Sequence, residues 1–250
     1  MTPFLAIVRV TVRQLTGRAR LVGFGLLSLV PAVLLFAASR SAVPAALDLE
    51  LGVVLVVPLF ALVIPVTTLL LASSALGEER GDKTLSFLLL RPISRLEIVS
   101  AKTFAAAVTS IGFSLLATFA LSLTWVAVGG SLDVLPAIAI GAALACAMYS
   151  AVFVLIGNVL ARATLVGMLY VLFFEYVMVQ ALPRLAGGSL WRIGLGATLA
   201  TMPEHFPARA LLGALGNWVP SLGSALIVAG VIAVITVGTC TVLLERTDAV

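Results

Sequence analysis

The sequence predicts an all-α integral membrane protein with six transmembrane helices. Three observations carry that prediction. Of the 250 residues, 62% are hydrophobic. Only 10% are charged, against about 25% in an ordinary soluble domain. The mean hydropathy is +1.22. Together they exclude a soluble globular enzyme, a disordered regulator and a fibrous repeat. The apolar runs are long and uniform, whereas membrane-barrel strands alternate over about ten residues. One transmembrane domain over residues 1–250 is therefore expected.

Taken in order, residues 3–16 place Phe4, Val8, Val12 and Leu15 near one helical face, with Arg9 and Arg13 off it. That pattern predicts an interfacial helix, a longer first span being the alternative. A span needs about 20 apolar residues. Six segments qualify: Leu21–Ala38, Gly52–Leu76, Phe104–Val128, Val134–Ala161, Ala163–Leu182 and Leu222–Leu244. The first is short and can extend through Arg18 or Arg20, whose side chains snorkel. Glu175 is the one formal charge inside these segments. No cleavable signal peptide is expected, because the first apolar run lacks a clear cleavage site.

Six spans put both termini on one side of the membrane. The net charge is +4, from 15 basic and 11 acidic residues. Only Arg40, Arg184, Arg192 and Arg209 fall on one side; the other basic residues fall on the other. The basic side is cytoplasmic by the positive-inside rule, so both termini are expected in the cytoplasm of a cell membrane. The pI of 9.6 then reflects orientation, and nucleic-acid binding is not expected, since no aromatic platform lies beside the basic residues.

Two connecting segments stand out. Segment 77–102 is the most charged stretch of the chain. Asp82 or Thr84 can cap a short helix bearing Leu85, Phe87, Leu88, Leu89 and Leu90. Pro92 stops it. Ser94, with Glu97 three residues on, can cap the helix that enters the third span. Segment 183–220 carries Leu190, Trp191, Leu195, Leu199, Phe206 and Trp218, broken by glycines and prolines. It is too apolar for a solvated loop and too interrupted for a span. Short helices dipping into the outer leaflet are expected there.

The usual catalytic signatures are missing. Neither Lys83 nor Lys102 follows glycine, so no phosphate-binding loop exists. His205 is the one histidine, which excludes a two-histidine zinc helix, and no metal site is expected. Glu204, its nearest carboxylate, is adjacent in sequence and would not face it on a helix. Cys146 and Cys240 lie in apolar runs, which argues against a disulfide framework.

Segment 77–102 resembles the ABC-2 type permeases, the membrane subunits of ATP-driven exporters. The resemblance rests on the acidic pair Glu78 and Glu79, on Thr84-Leu85, on Leu88-Leu89, on Pro92-Ile93-Ser94-Arg95 and on Lys102. The family often has glycine before the threonine, where this chain has Lys83. The six-span layout, the amphipathic start and the apolar segment before the last span extend the likeness over the chain. The resemblance implies pairing with a second permease, as a homodimer or with a related chain, and two separate ATP-binding subunits. Those partners would hold ATP and Mg; this chain would hold no cofactor and no ATPase site. The coupling interface would comprise Glu78, Glu79, Arg80, Thr84, Leu85, Leu88, Leu89, Pro92 and Arg95. The 183–220 segment would form an outer gate. Exposed leucines at about 25 cal/mol per Å² favour a partner groove over water, although the headgroups would satisfy the same demand.

Glu175 has three readings. It lines a pathway and meets a cationic or polar substrate; it pairs with Arg184, Arg192 or Arg209; or it is protonated and hydrogen-bonded between helices. Two other classes of function stay open. A six-span lipid enzyme would use Glu175 and His205, and an ion-coupled carrier would run on a gradient. Composition does not separate drugs, lipids, peptides and polysaccharides as cargo.

Overall fold

The computed structural model describes residues 3–41, 58–81, 93–160, 162–178, 181, 187–203 and 220–247. Nearly all of these residues are helical, with no strand among them. Pro3 opens α1 (Pro3–Leu15), its fixed φ suiting a first helical turn. Ile7, Thr11 and Leu15 form the buried stripe of α1, at the four-residue spacing of one helical face. Phe4 lies tilted against Phe104 with ring centroids 6.0 Å apart, and Ile7 packs with Ile98 and Ala101. The helix is amphipathic as expected, but its most buried stripe is Ile7, Thr11 and Leu15. Val8 and Val12 are only half-buried. The difference arises because one face meets protein while its neighbour is left for lipid.

α2 (Arg18–Ser41) lies on the outside of the bundle. Val22 and Leu26 are exposed, and Leu35 is buried. The Ser28 hydroxyl bonds the Phe24 and Phe113 carbonyls at 2.8 and 3.1 Å, which pins α2 to the third span. A π-helical turn, Leu59–Val63, follows Pro58 and leads into α3 (Ile64–Gly81). α4 (Arg95–Ala127) is the longest helix, at 33 residues. Ser94 caps it, its hydroxyl accepting the Glu97 amide at 3.2 Å. Gly129, at φ 97°, takes a left-handed turn that glycine adopts without a side-chain clash. A 3-10 turn, Leu132–Val134, then starts α5 (Leu135–Val159). α6 (Ala163–Leu169) continues as a π-helix over Tyr170–Met178. α7 (Leu190–Thr201) and α8 (Leu222–Thr247) complete the chain.

α5 is the central column. It packs on α3, α4, α7 and α8. Close approach is possible because glycines sit at the crossings. A Cβ on Gly157 would overlap the Ser73 backbone of α3, and one on Gly141 would overlap the Thr198 hydroxyl and the Gly194 carbonyl of α7. Small residues at such crossings are how helices associate where lipid removes the hydrophobic drive.

Among the described residues, five helices are long and apolar enough to cross a membrane: Arg18–Arg40, Leu59–Glu79, Arg95–Ala127, Leu132–Val159 and Leu222–Arg246. Where the sequence suggests a sixth, the structure has a shorter apolar helix, Ala163–Val177. α8 turns Leu226, Ile227, Val231 and Val234 outward, Val234 being 74% exposed. In water that surface would be costly; in lipid it is at home. α3 and α4 both run past the predicted spans, to Gly81 and from Arg95. The apolar run marks the membrane, whereas the helix continues beyond it into charged sequence.

Candidate functional site

Two polar sites stand out in an otherwise apolar bundle. The first lies where α3 ends and α4 begins. Lys102 is 1% exposed, one of the few charged side chains buried this deeply. Its ammonium pairs with Glu79 at 2.6 Å and donates to the Ala75 carbonyl at 2.7 Å. An ammonium removed from water needs such partners, because desolvation of the bare charge is expensive. The chain places it there by simple spacing. Ser94 starts the helix, and Lys102 falls two turns on, in the buried stripe that also carries Ala106 and Ser110. Beside this clasp, Arg20 of α2 pairs with Glu78. That second pair is about half in solvent, with side chains 33% and 52% exposed, and exposed pairs contribute only about 0–1 kcal/mol.

The acidic pair is thus divided between two helices. Glu79 ties α3 to α4, and Glu78 ties α3 to α2. Arg95 is the first residue of α4, and the backbone of Arg80 lies in the last turn of α3. Thr84, Leu85, Leu88, Leu89 and Pro92 lie outside the described residues. The clasp therefore closes the base of the segment on which they sit.

The second site surrounds Glu175, which is 1% exposed. It sits in the π-helical stretch after α6, a geometry often found at functional positions. Oε1 accepts the Tyr149 hydroxyl at 3.0 Å, the Tyr170 hydroxyl at 3.4 Å and the Leu190 amide at 3.0 Å. The Ser189 hydroxyl donates to Oε2. Ser189 and Leu190 begin α7, whose first amides have no partner within the helix. A carboxylate from another helix fills that role here and complements the positive end of the α7 dipole. Arg192, one turn into α7, is 5% exposed. It feels the Glu175 charge through space, and its guanidinium lies 5.5 Å from the Trp191 ring centroid.

Tyr149, Tyr170, Ser189 and the Leu190 amide hydrogen-bond Glu175, and Arg192 is its electrostatic neighbour. Arg184, Arg209 and His205 lie outside the described residues. Tyr149 lies 14 residues into α5 by its numbering, which at 1.5 Å per residue puts this cluster about 21 Å down that helix. α7 runs antiparallel to α5, with Leu190 near the Tyr149 level and Thr198 near Gly141. Every residue of α7 from Leu190 to Thr198 is buried. The helix expected to dip into the outer leaflet is enclosed by protein along this stretch, as re-entrant segments are, because Gly194 lets it approach α5. A Cβ there would come within 2.7 Å of the Ala145 Cβ.

Sequence reasoning did not find Tyr149, Ser189 or the burial of Lys102. The available signals were a tyrosine in an apolar span and a lysine less than a turn ahead of one. It also missed a hydroxyl row on α4, Ser110, Ser114, Thr118 and Ser122, all buried and four residues apart. Thr118 returns its hydrogen bond to Ser114 of its own helix. Across the same interior, Thr68 of α3 reaches the Cys146 sulfur of α5 at 3.8 Å.

The family model described as ABC-2 family transporter protein matches residues 18–180. That span runs from the first residue of α2 through the Glu175 stretch. No curated protein matches the chain. An all-helical bundle with long apolar helices and a match over more than half of its length place the chain in one family: it belongs to the ABC-2 family of transporter proteins, as a membrane permease component of an ABC transporter.

Proposed function

We propose that this chain is the permease of an ATP-driven exporter. It crosses the cell membrane six times with both termini in the cytoplasm. It pairs with a second permease and engages two ATP-binding subunits, which hold the ATP and Mg. Segment 77–102 is the handle that those subunits grip, with Leu85, Leu88 and Leu89 as its apolar face and Glu78, Arg80 and Arg95 at its rim. ATP binding draws the partner subunits together and pushes this handle. α3 and α4 then rock, and α7 with its neighbouring segment opens the outward side. Hydrolysis resets the assembly, and no covalent step occurs in this chain.

The observation that carries this reading is the Glu79–Lys102 clasp. It joins the two helices that flank segment 82–92, at the base of that segment. A push on the segment therefore moves α3 and α4 as one body instead of flexing a loop. Family membership supports the ATP-binding partners.

The test uses Leu88→Asp and Arg95→Glu in the permease co-expressed with its ATP-binding subunit. Position 95 opens α4, where an acidic residue suits the helix dipole, so the second variant should fold. Both proteins should reach the membrane while ATP hydrolysis proceeds without transport. Unchanged ATPase association and transport in both variants would reject the coupling role.

A further inference from the structure

At the clasp end of the bundle a cleft of about 1100 Å³ opens between the start of α2, the second half of α3, the end of α5 and the start of α6. It exceeds the usual small-ligand pocket of about 300–1,000 Å³. Its lining is amphiphilic. Arg20, Glu78, Arg162, Ser73 and Thr164 supply polar groups, while Leu70 and Met168 supply an apolar wall. That wall is open to its surroundings, with Leu70 and Met168 each 39% exposed. The floor is backbone: a Cβ on Gly77 of α3 would already lie 3.4 Å from the Gly157 carbonyl of α5.

The two arginines differ. Arg20 is held by Glu78. Arg162 is exposed and pairs with no carboxylate among the described residues. Among the described residues the rim thus keeps one guanidinium with no carboxylate on it, beside hydroxyl groups and above an exposed apolar wall. We infer that this cleft binds one anionic phospholipid of the cytoplasmic leaflet, its phosphate at Arg162 and Thr164 and an acyl chain along Leu70 and Met168. A guanidinium fork suits phosphate oxygens, and basic pockets between membrane helices on the cytoplasmic side take anionic headgroups. A second copy docking this face on itself would set a concave, cationic patch against the same patch, with neither shape nor charge matched. The leaflet rests on the orientation proposed above. Binding in a detergent titration does not depend on orientation or on the ATP-binding partner, so the two readings fail separately.

The experiment is native mass spectrometry of the full chain in detergent, titrated with phosphatidylglycerol, phosphatidylcholine and soluble glycerol phosphate. One phosphatidylglycerol should be retained per chain, in preference to phosphatidylcholine, and glycerol phosphate should not displace it. Arg162→Gln should weaken retention about five-fold, the weight of one basic residue at a membrane surface, and Arg162→Lys should restore part of it. Met168→Trp, which fills the apolar wall, should abolish retention. Equal retention of the two lipids, displacement by glycerol phosphate, or full retention in Arg162→Gln would overturn the site. So would a Met168→Trp variant that keeps its lipid but changes oligomeric state, since a second copy would then occupy the face.

Discussion

Glu79 and Glu175 are two carboxylates drawn out of water by the same bundle, and they are satisfied in opposite ways. Glu79 meets a full positive charge, Lys102, at 2.6 Å. Glu175 meets neutral donors: two tyrosines, a serine and a backbone amide. Position explains the difference. Glu79 sits near a helix end, its side chain still 21% exposed, where an ionised pair keeps some contact with solvent. Glu175 sits deep among apolar helices, where dipoles spread over several elements bond the carboxyl directly, with the buried Arg192 acting on it only through the electrostatic field. The ion pair fixes two helices to each other at one point. The dipolar cluster gathers α5, α6 and α7 around one side chain, and can be loosened one bond at a time.

The sharpest way to break this contrast is Lys102→Met. Removing one member of a buried ion pair costs about 3–5 kcal/mol, so the variant should lose stability by that order in denaturant titrations followed by circular dichroism. Adding Glu79→Gln should recover a good part of it, because no charge is then stranded. A single variant as stable as the parent would show that the clasp does not anchor α3 to α4.

A smaller effect is expected at the dipolar site. Glu175→Gln keeps the size but turns an acceptor into an amide donor facing other donors. Leaving a buried polar group unmet costs about 1–3 kcal/mol, less than the Lys102 variant. Transport should fall by more than the stability loss accounts for, since α7 loses the group that seats its first turn. Normal transport by this variant would remove Glu175 from the transport cycle while leaving the contrast in stability intact.

The smallest effect belongs to Ser94→Ala. The lost cap costs about 1 kcal/mol and should be confined to the start of α4. Hydrogen exchange should quicken at residues 95–98 and remain unchanged around Glu175. Faster exchange at both sites would mean that the two ends are coupled more tightly than their separate chemistries imply.

Five of the six expected spans were legible because each is announced by a run of apolar residues long enough to cross lipid. The cap at Ser94 was legible from its hydroxyl and from Glu97 three residues on. The partners of Glu175 were not, because they come from α5 and from the start of α7, and no local pattern says which helices will meet. The enclosure of α7 was hidden for a related reason. Its glycines look like loop punctuation in one dimension, and only the crossing with Gly141 and Ala145 shows that they are contact points. Lys102 was read as the tail of a motif. Its burial depends on Ala75 and Glu79 of a preceding helix, which sequence distance does not bring together. The π-helical stretch around Glu175 carries no compositional mark at all.

α4 has one more consequence. Its 33 residues make a rod of about 50 Å, while the hydrocarbon it crosses is about 30 Å thick. The surplus must extend beyond the hydrocarbon, and the charged early residues, from Arg95 to Lys102, are the ones suited to headgroups or water. A stiff rod anchored in a slab cannot bend its free tip alone. Any sideways displacement applied there tilts the whole shaft, and the buried far end must swing the other way.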